Sequence, residues 1–311
     1  MKNVLKLLFL SSIVFCSVGC QKEGDSMGDY KGPVDVIVIS GQSNAVGCTH
    51  SSEIKMSVGA SAYNDYMKGF DDVKIAFDSW TKDVTTDAGG NINTTFYSQN
   101  KSKNDDFVKV MLGQGNGLTT FGPEIGIAET LHEKYANKLY IIKYACGASN
   151  LKDDWAKKDS PMYGRFIEYV KKQMANLKNK GLEPTIKAFC WMQGEGDTWD
   201  GYYQEYYDNT KLFVGNVRED LKELSGNKDV PFIDAAVLAN SKVWTYHKPV
   251  NDAKKQFAEE SENNIFIDTN AEGLHTNEEP RGNIDECHYD SESQLKLGKL
   301  FAENFEQFLM K

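Results

Sequence analysis

Four short segments of this chain carry side chains able to do chemistry: Ser40-Gly41-Gln42-Ser43-Asn44-Ala45, Lys143-Tyr144-Ala145-Cys146-Gly147-Ala148-Ser149, Trp191-Met192-Gln193-Gly194-Glu195-Gly196-Asp197 and Asp285-Glu286-Cys287-His288. A serine hydroxyl is a weak nucleophile until a neighbouring base takes its proton. A carboxylate three residues ahead of a histidine can turn back to its Nδ1 and fix both tautomer and orientation. Gly147 offers a backbone N–H that can face a ligand at a strand end, and Gln193 an amide NH₂ that can project into a cleft. Each segment alone has a plainer reading, such as a capping turn or a strand-to-loop glycine. His275 copies the acid-to-histidine spacing in Glu272-Gly-Leu-His275, but it lies in a polar loop. His50, His132 and His247 read as structural. No H-E-x-x-H or C-x-x-C pattern occurs, so neither a metal nor a cofactor is expected.

Something must hold these segments in one place. Val34–Ile39 is a continuous apolar, β-branched run, the pattern of a strand buried on both faces. Similar runs recur at Val73–Phe77, Leu139–Ala145, Ile186–Trp191, Pro231–Val237 and Ile265–Ile267. Helical periodicity falls between them, over Ile125–Tyr135, Phe166–Leu177 and Leu295–Leu309, and in the stripe Tyr203, Tyr207, Phe213, Val217, Leu221 and Leu224. On that spacing Tyr203 and Tyr207 belong to the core. Such alternation predicts an α/β fold with a doubly wound, mostly parallel sheet flanked by helices, whose site lies beyond the carboxyl ends of the strands. The polar stretch Lys82–Thr120 reads as a long irregular loop on the substrate side.

Taken in order, Gly41–Asn44, Gly122-Pro123-Glu124, Trp191–Asp197 and Asp285–His288 resemble the motifs of the SGNH-hydrolase superfamily, in its carbohydrate-esterase branch of sialate O-acetylesterases and acetylxylan esterases. The resemblance spans roughly Val34 to Phe308. It implies a flavodoxin-like three-layer sandwich, with Ser43 as nucleophile, His288 as general base and Asp285 orienting it. It also implies an oxyanion hole from the N–H of Ser43, the N–H of Gly147 and the Gln193 amide, with Gln42, Asn44, Glu124, Glu195 and Asp197 as supporting hydrogen-bond partners. Ala148 stands where many relatives have a second glycine. The activity implied is removal of acetyl groups from sialic acid or xylan-type glycans through an acetyl-serine intermediate. The alternative is an inactive glycan-binding lipoprotein.

Met1–Gly19 reads as an export signal, with Lys2 and Lys6 ahead of the apolar run Leu7–Val18. Ser17-Val18-Gly19-Cys20 resembles a bacterial lipobox, which implies acylation of Cys20 and a lipid anchor to the membrane. The expected organisation is a signal over 1–19, a tether over 20–32 and one esterase domain over 33–311, placed in the cell envelope of a Gram-negative bacterium, at the outer membrane or in the periplasm. Losing 1–19 removes two lysines and no acid, which moves the formal charge of −10 to −12. That balance argues against nucleic acid as a partner. Cys48, Cys146, Cys190 and Cys287 remain in the exported part, and the sequence does not set any pairing among them.

Overall fold

Val36 and Val38 point to one side of the first strand and Ile37 and Ile39 to the other, and all four are fully buried. A strand of this kind needs a layer on each face, and the computed structural model, which describes residues 30–199 and 201–309, supplies both. The strands are β1 (Gly32–Gly41), β2 (Thr49–His50), β3 (Phe70–Thr86), β4 (Ile92–Lys101), β5 (Val108–Val110), β6 (Thr120–Phe121), β7 (Leu139–Gly147), β8 (Leu182–Met192), β9 (Phe232–Ala235) and β10 (Asn264–Ile267). The helices are α1 (Ser43–Val46), α2 (Ile54–Lys68), α3 (Glu124–Leu131), α4 (Leu151–Asp154), α5 (Tyr163–Asn179), α6 (Tyr206–Leu221), α7 (His247–Ala258) and α8 (Ser291–Phe305).

The main sheet runs β10-β9-β8-β1-β7-β3-β4, with β5 also on β3. From β10 through β3 all neighbours are parallel, while β4 and β5 lie antiparallel to β3. Ile37 and Ile39 pack with Ile125 of α3 and Phe301 of α8. Val36 and Val38 pack with Phe166 of α5 and Phe213 of α6. Gly126 and Gly298 let α3 and α8 touch backbone to backbone: a Cβ on Gly126 would stand 2.1 Å from the Leu295 carbonyl oxygen. This is the doubly wound sandwich that the alternation of apolar runs predicts.

The stretch expected as an irregular loop is instead ordered. β3 continues to Thr86 and returns as β4, so residues 82–101 form a hairpin, and β5 and β6 follow. At its turn, Asp87 Oδ1 accepts the N–H groups of Gly89 and Asn91. The Asp87-Ala-Gly-Gly-Asn91 turn and the flanking Val84-Thr85-Thr86 and Thr94-Thr95-Phe96 are hairpin signals. Both faces of the hairpin are largely exposed, so its strands lack the apolar alternation that marks a half-buried strand.

Candidate active site

Gly41 ends β1 at a φ of +138°, and a Cβ there would stand 2.0 Å from the Met192 carbonyl oxygen, so only glycine allows the turn that starts α1 at Ser43. The Ser43 hydroxyl makes no hydrogen bond among the described residues. Gly147 closes β7 opposite it: a Cβ on Gly147 would lie 3.8 Å from Ser43 Cβ and 3.5 Å from Thr81 Oγ1. The next residue, Ala148, adopts the left-handed conformation at a φ of +58°. That geometry explains why glycine suits this position.

On the far side of the site, His288 Nδ1 lies 2.6 Å from Asp285 Oδ2. Asp285 Oδ1 accepts the N–H groups of Cys287 and His288. Burial works against the carboxylate, but the hydrogen bonds and charge of His288 outweigh it and hold Asp285 at about 2. Burial also opposes the imidazolium, yet the neighbouring Cys48 and the carboxylate of Asp285 push His288 above its usual 6.5. Cys48 and His288 line one small opening together with Thr49, His50, Glu279, Pro280, Asp285 and Tyr289. The loop that carries the pair is stitched at several points. Asp285 N–H donates to the Glu279 carbonyl, Thr276 Oγ1 donates to the Asp285 carbonyl, and Ser241 Oγ donates to the Glu286 carbonyl.

Asn44 joins the two halves. Its Oδ1 accepts Tyr289 N–H at 3.1 Å, and its Nδ2 donates to Glu195 Oε1 at 2.7 Å. The neighbours of Ser43 and His288 are therefore hydrogen-bonded directly to each other. Glu195 is fully buried, its Oε2 has no partner among the described residues, and burial raises its carboxyl. Gln42 Oε1 accepts from Gly194 N–H and Gly196 N–H, which ties the β1 turn to the loop after β8. Asp197, raised by burial to about 6, accepts the Leu151 N–H at 2.8 Å. Glu124 takes Gly122 N–H on one oxygen and Lys143 Nζ on the other.

Gln193 is hydrogen-bonded at both ends of its amide. Its Nε2 donates to Asp197 Oδ2 at 2.5 Å and to Gln42 Oε1 at 3.3 Å, and its Oε1 accepts the Tyr206 hydroxyl at 3.1 Å. The side chain is fully buried, and these bonds tie the turn after β8 to Gln42 and Asp197. Tyr206 is the buried tyrosine of its cluster, whereas Tyr203 and Tyr207, expected in the core, are only partly buried.

Two further residues have places in the site that the sequence reading did not assign. Lys143, fully buried, donates to the carbonyls of Val46 and Gln114 and to Glu124, fastening the end of α1 to its surroundings. Cys48 matters only because the fold brings it to His288, and no spacing in the sequence announces that. His275 pairs with Asp290, not with Glu272, at 2.8 Å. His275, Glu278 and Asp290 could hold a metal ion by proximity, their ligand atoms lying within 4.8 Å of one another. Asp290 already accepts the N–H groups of Glu278 and Glu279, so the cluster acts as a staple of the Asp285 loop. Cys48, Cys146, Cys190 and Cys287 are all free thiols. Cys20 lies outside the described residues.

A family model described as carbohydrate esterase, sialic acid-specific acetylesterase, matches residues 33–307. No curated protein matches at the sequence level. Among solved structures, a protein from Arabidopsis thaliana is 20% identical over 89% of this chain and 100% of its own, with a TM-score of 0.57. NanS is 15% identical over 90% of this chain and 98% of its own, with a TM-score of 0.61. Both share the three-layer fold.

Proposed function

The chain belongs to the carbohydrate esterase family of sialic acid-specific acetylesterases, and from that premise we propose that it removes O-acetyl groups from sugars with Ser43 as nucleophile. The observation that carries the reading is the Asp285–His288 pair, joined through Tyr289 and Asn44 to the turn that presents Ser43. With Nδ1 turned to Asp285, Nε2 is the ring nitrogen left to take a proton. Ser43 Oγ attacks the acetyl carbonyl and its proton passes to His288. The Ser43 and Gly147 N–H groups bind the developing oxyanion. As the tetrahedral intermediate collapses, the sugar oxygen leaves with the proton from His288. Water, deprotonated by the same imidazole, then cleaves the acetyl-serine and yields acetate.

Acetate release should be measured over a panel of O-acetylated sialic acids and acetylated xylo-oligosaccharides. Ser43→Ala should lower kcat by about 10⁶-fold, as loss of a triad nucleophile does elsewhere, with an unchanged melting curve. Wild-type protein that binds these sugars and releases no acetate would favour a binding lipoprotein instead.

A further inference from the structure

β3 does not stop where the parallel sheet stops. Its last partner on β7 is Gly147, opposite Thr81, and from there the strand runs on into the hairpin with β4. Thr81 Oγ1 and Ser43 Cβ both lie within 3.8 Å of the point a Gly147 Cβ would occupy. The hairpin thus rises directly beside the seryl turn.

Its two faces differ. Trp80, Lys82 and Phe96 share one face, since Lys82 opposes Phe96 and Trp80 opposes Ser98. Arg165 lies over the Trp80 and Phe96 rings, and Lys82 pairs with Asp154 at 2.8 Å, so this face is fastened to α4 and α5. The other face carries Thr81 with Tyr97 directly opposite, then Asp83 opposite Thr95 and Thr85 opposite Asn93. Directly opposed residues of an antiparallel pair project to the same side with Cβ atoms about 5 Å apart. Tyr97 therefore stands one strand beyond Thr81, on the Ser43 side, and it is 49% exposed. A large aromatic left open to solvent on an otherwise hydroxyl- and amide-bearing surface is an amphipathic platform.

We propose that this face of the β3–β4 hairpin is the wall that binds the sugar of the ester, with Tyr97 stacking on a pyranose ring and Asp83, Thr95 and Asn93 meeting its hydroxyls. The apolar C–H face of a pyranose carries partial positive charge and matches the negative face of the tyrosine ring. The inference rests on the reading of Ser43 as the attacked centre, because that reading sets where the acetyl group lies and so where the sugar must extend.

Turnover is compared among wild type, Tyr97→Ala, Tyr97→Phe, and Val84→Ala on the fastened face. Tyr97→Ala should raise KM for the acetylated oligosaccharides by about 10-fold with kcat nearly unchanged. Hydrolysis of p-nitrophenyl acetate, which has no sugar, should stay at the wild-type level. Tyr97→Phe should restore KM, and Val84→Ala should leave it alone. Titration of the same sugars into Ser43→Ala protein, with and without Tyr97→Ala, reads binding without turnover. A Kd and a KM unmoved by Tyr97→Ala would overturn the wall. So would an equal loss on p-nitrophenyl acetate. Sugar binding that depends on Tyr97 in a wild-type protein releasing no acetate would keep the wall and remove only the esterase reading.

Discussion

At the scale of single residues, His288 sits between the Cys48 thiol and the Asp285 carboxylate. Burial opposes its charged form, while Cys48 and Asp285 favour it and raise it above 6.5. A general base works only when neutral, so kcat/KM should rise with pH along a limb displaced to the alkaline side of an ordinary histidine. Cys48→Ala removes one source of the displacement, and the limb should move toward lower pH while the rate on its plateau holds. A limb that stays in place would show that Asp285 alone sets it. The same raised pKa makes a contribution to stability that is full below 6.5 and fades as pH climbs through the folded value. Asp285 behaves oppositely: held at about 2, it stabilises above its usual 3.8 and loses that effect as pH falls toward 2. The Asp285–His288 pair was legible from spacing because three residues of loop suffice to fold a carboxylate back to a ring. The Cys48 contact and the commitments of Gln193 were not, because they depend on how loops from distant strands meet. Gln193 shows the point well: its motif predicts a polar side chain at a strand end, but the partners that absorb its protons, Gln42 and Asp197, are chosen by packing.

At the scale of elements, burial decided what could be read in advance. The core strands stood out because each is apolar on both faces, and α3, α5, α6 and α8 each keep an apolar stripe. α2 did not, since Gly59 interrupts it at a φ of +80° and only Ile54 and Tyr66 are fully buried. The hairpin of β3 and β4 was hidden for the same reason. Where the end of α1 meets the loop after β5, Lys143 of β7 donates to both and is itself held by a buried ion pair with Glu124 of α3 at 2.8 Å. Lys143 has three acceptors for its three protons, so the pair is satisfied; burial weakens its ammonium, and Glu124 is the main group that offsets this, with a smaller contribution from Cys48. Glu124→Gln keeps the shape and deletes the charge. Leaving a buried cation without its partner costs about 3–5 kcal/mol, which should appear as a lower midpoint in urea unfolding. Activity should fall as well, because Lys143 also holds the Val46 carbonyl at the end of the seryl helix. A midpoint within about 0.5 kcal/mol of wild type, the scatter of ordinary surface changes, would mean that the carbonyl contacts alone secure the joint.

At the scale of the whole molecule, every parallel strand points its carboxyl end at the site: Ser43 follows β1, Gly147 ends β7, and Gln193 follows β8. The chain enters at the opposite edge, where β1 begins at Gly32 beside Leu182. β1 spans ten residues from that entry to Gly41, about 30 Å of rise. Cys20 lies outside the described residues, and acylation there is a proposal drawn from its lipobox-like setting. It has a geometric consequence, because a tether over residues 20–32 would hold the domain at the end of β1 opposite Ser43. An anchored enzyme would then hold its site outward, toward glycans beyond the membrane surface. Cys20→Ala should therefore move the protein from the membrane fraction to the soluble fraction while leaving kcat/KM on soluble acetylated sugars unchanged. Mass spectrometry of the cellular protein should find a lipid-modified N-terminus at Cys20 in the wild type. An unmodified Met1 terminus would sink the anchor, and a loss of activity in soluble Cys20→Ala protein would mean that the tether does more than hold the domain in place.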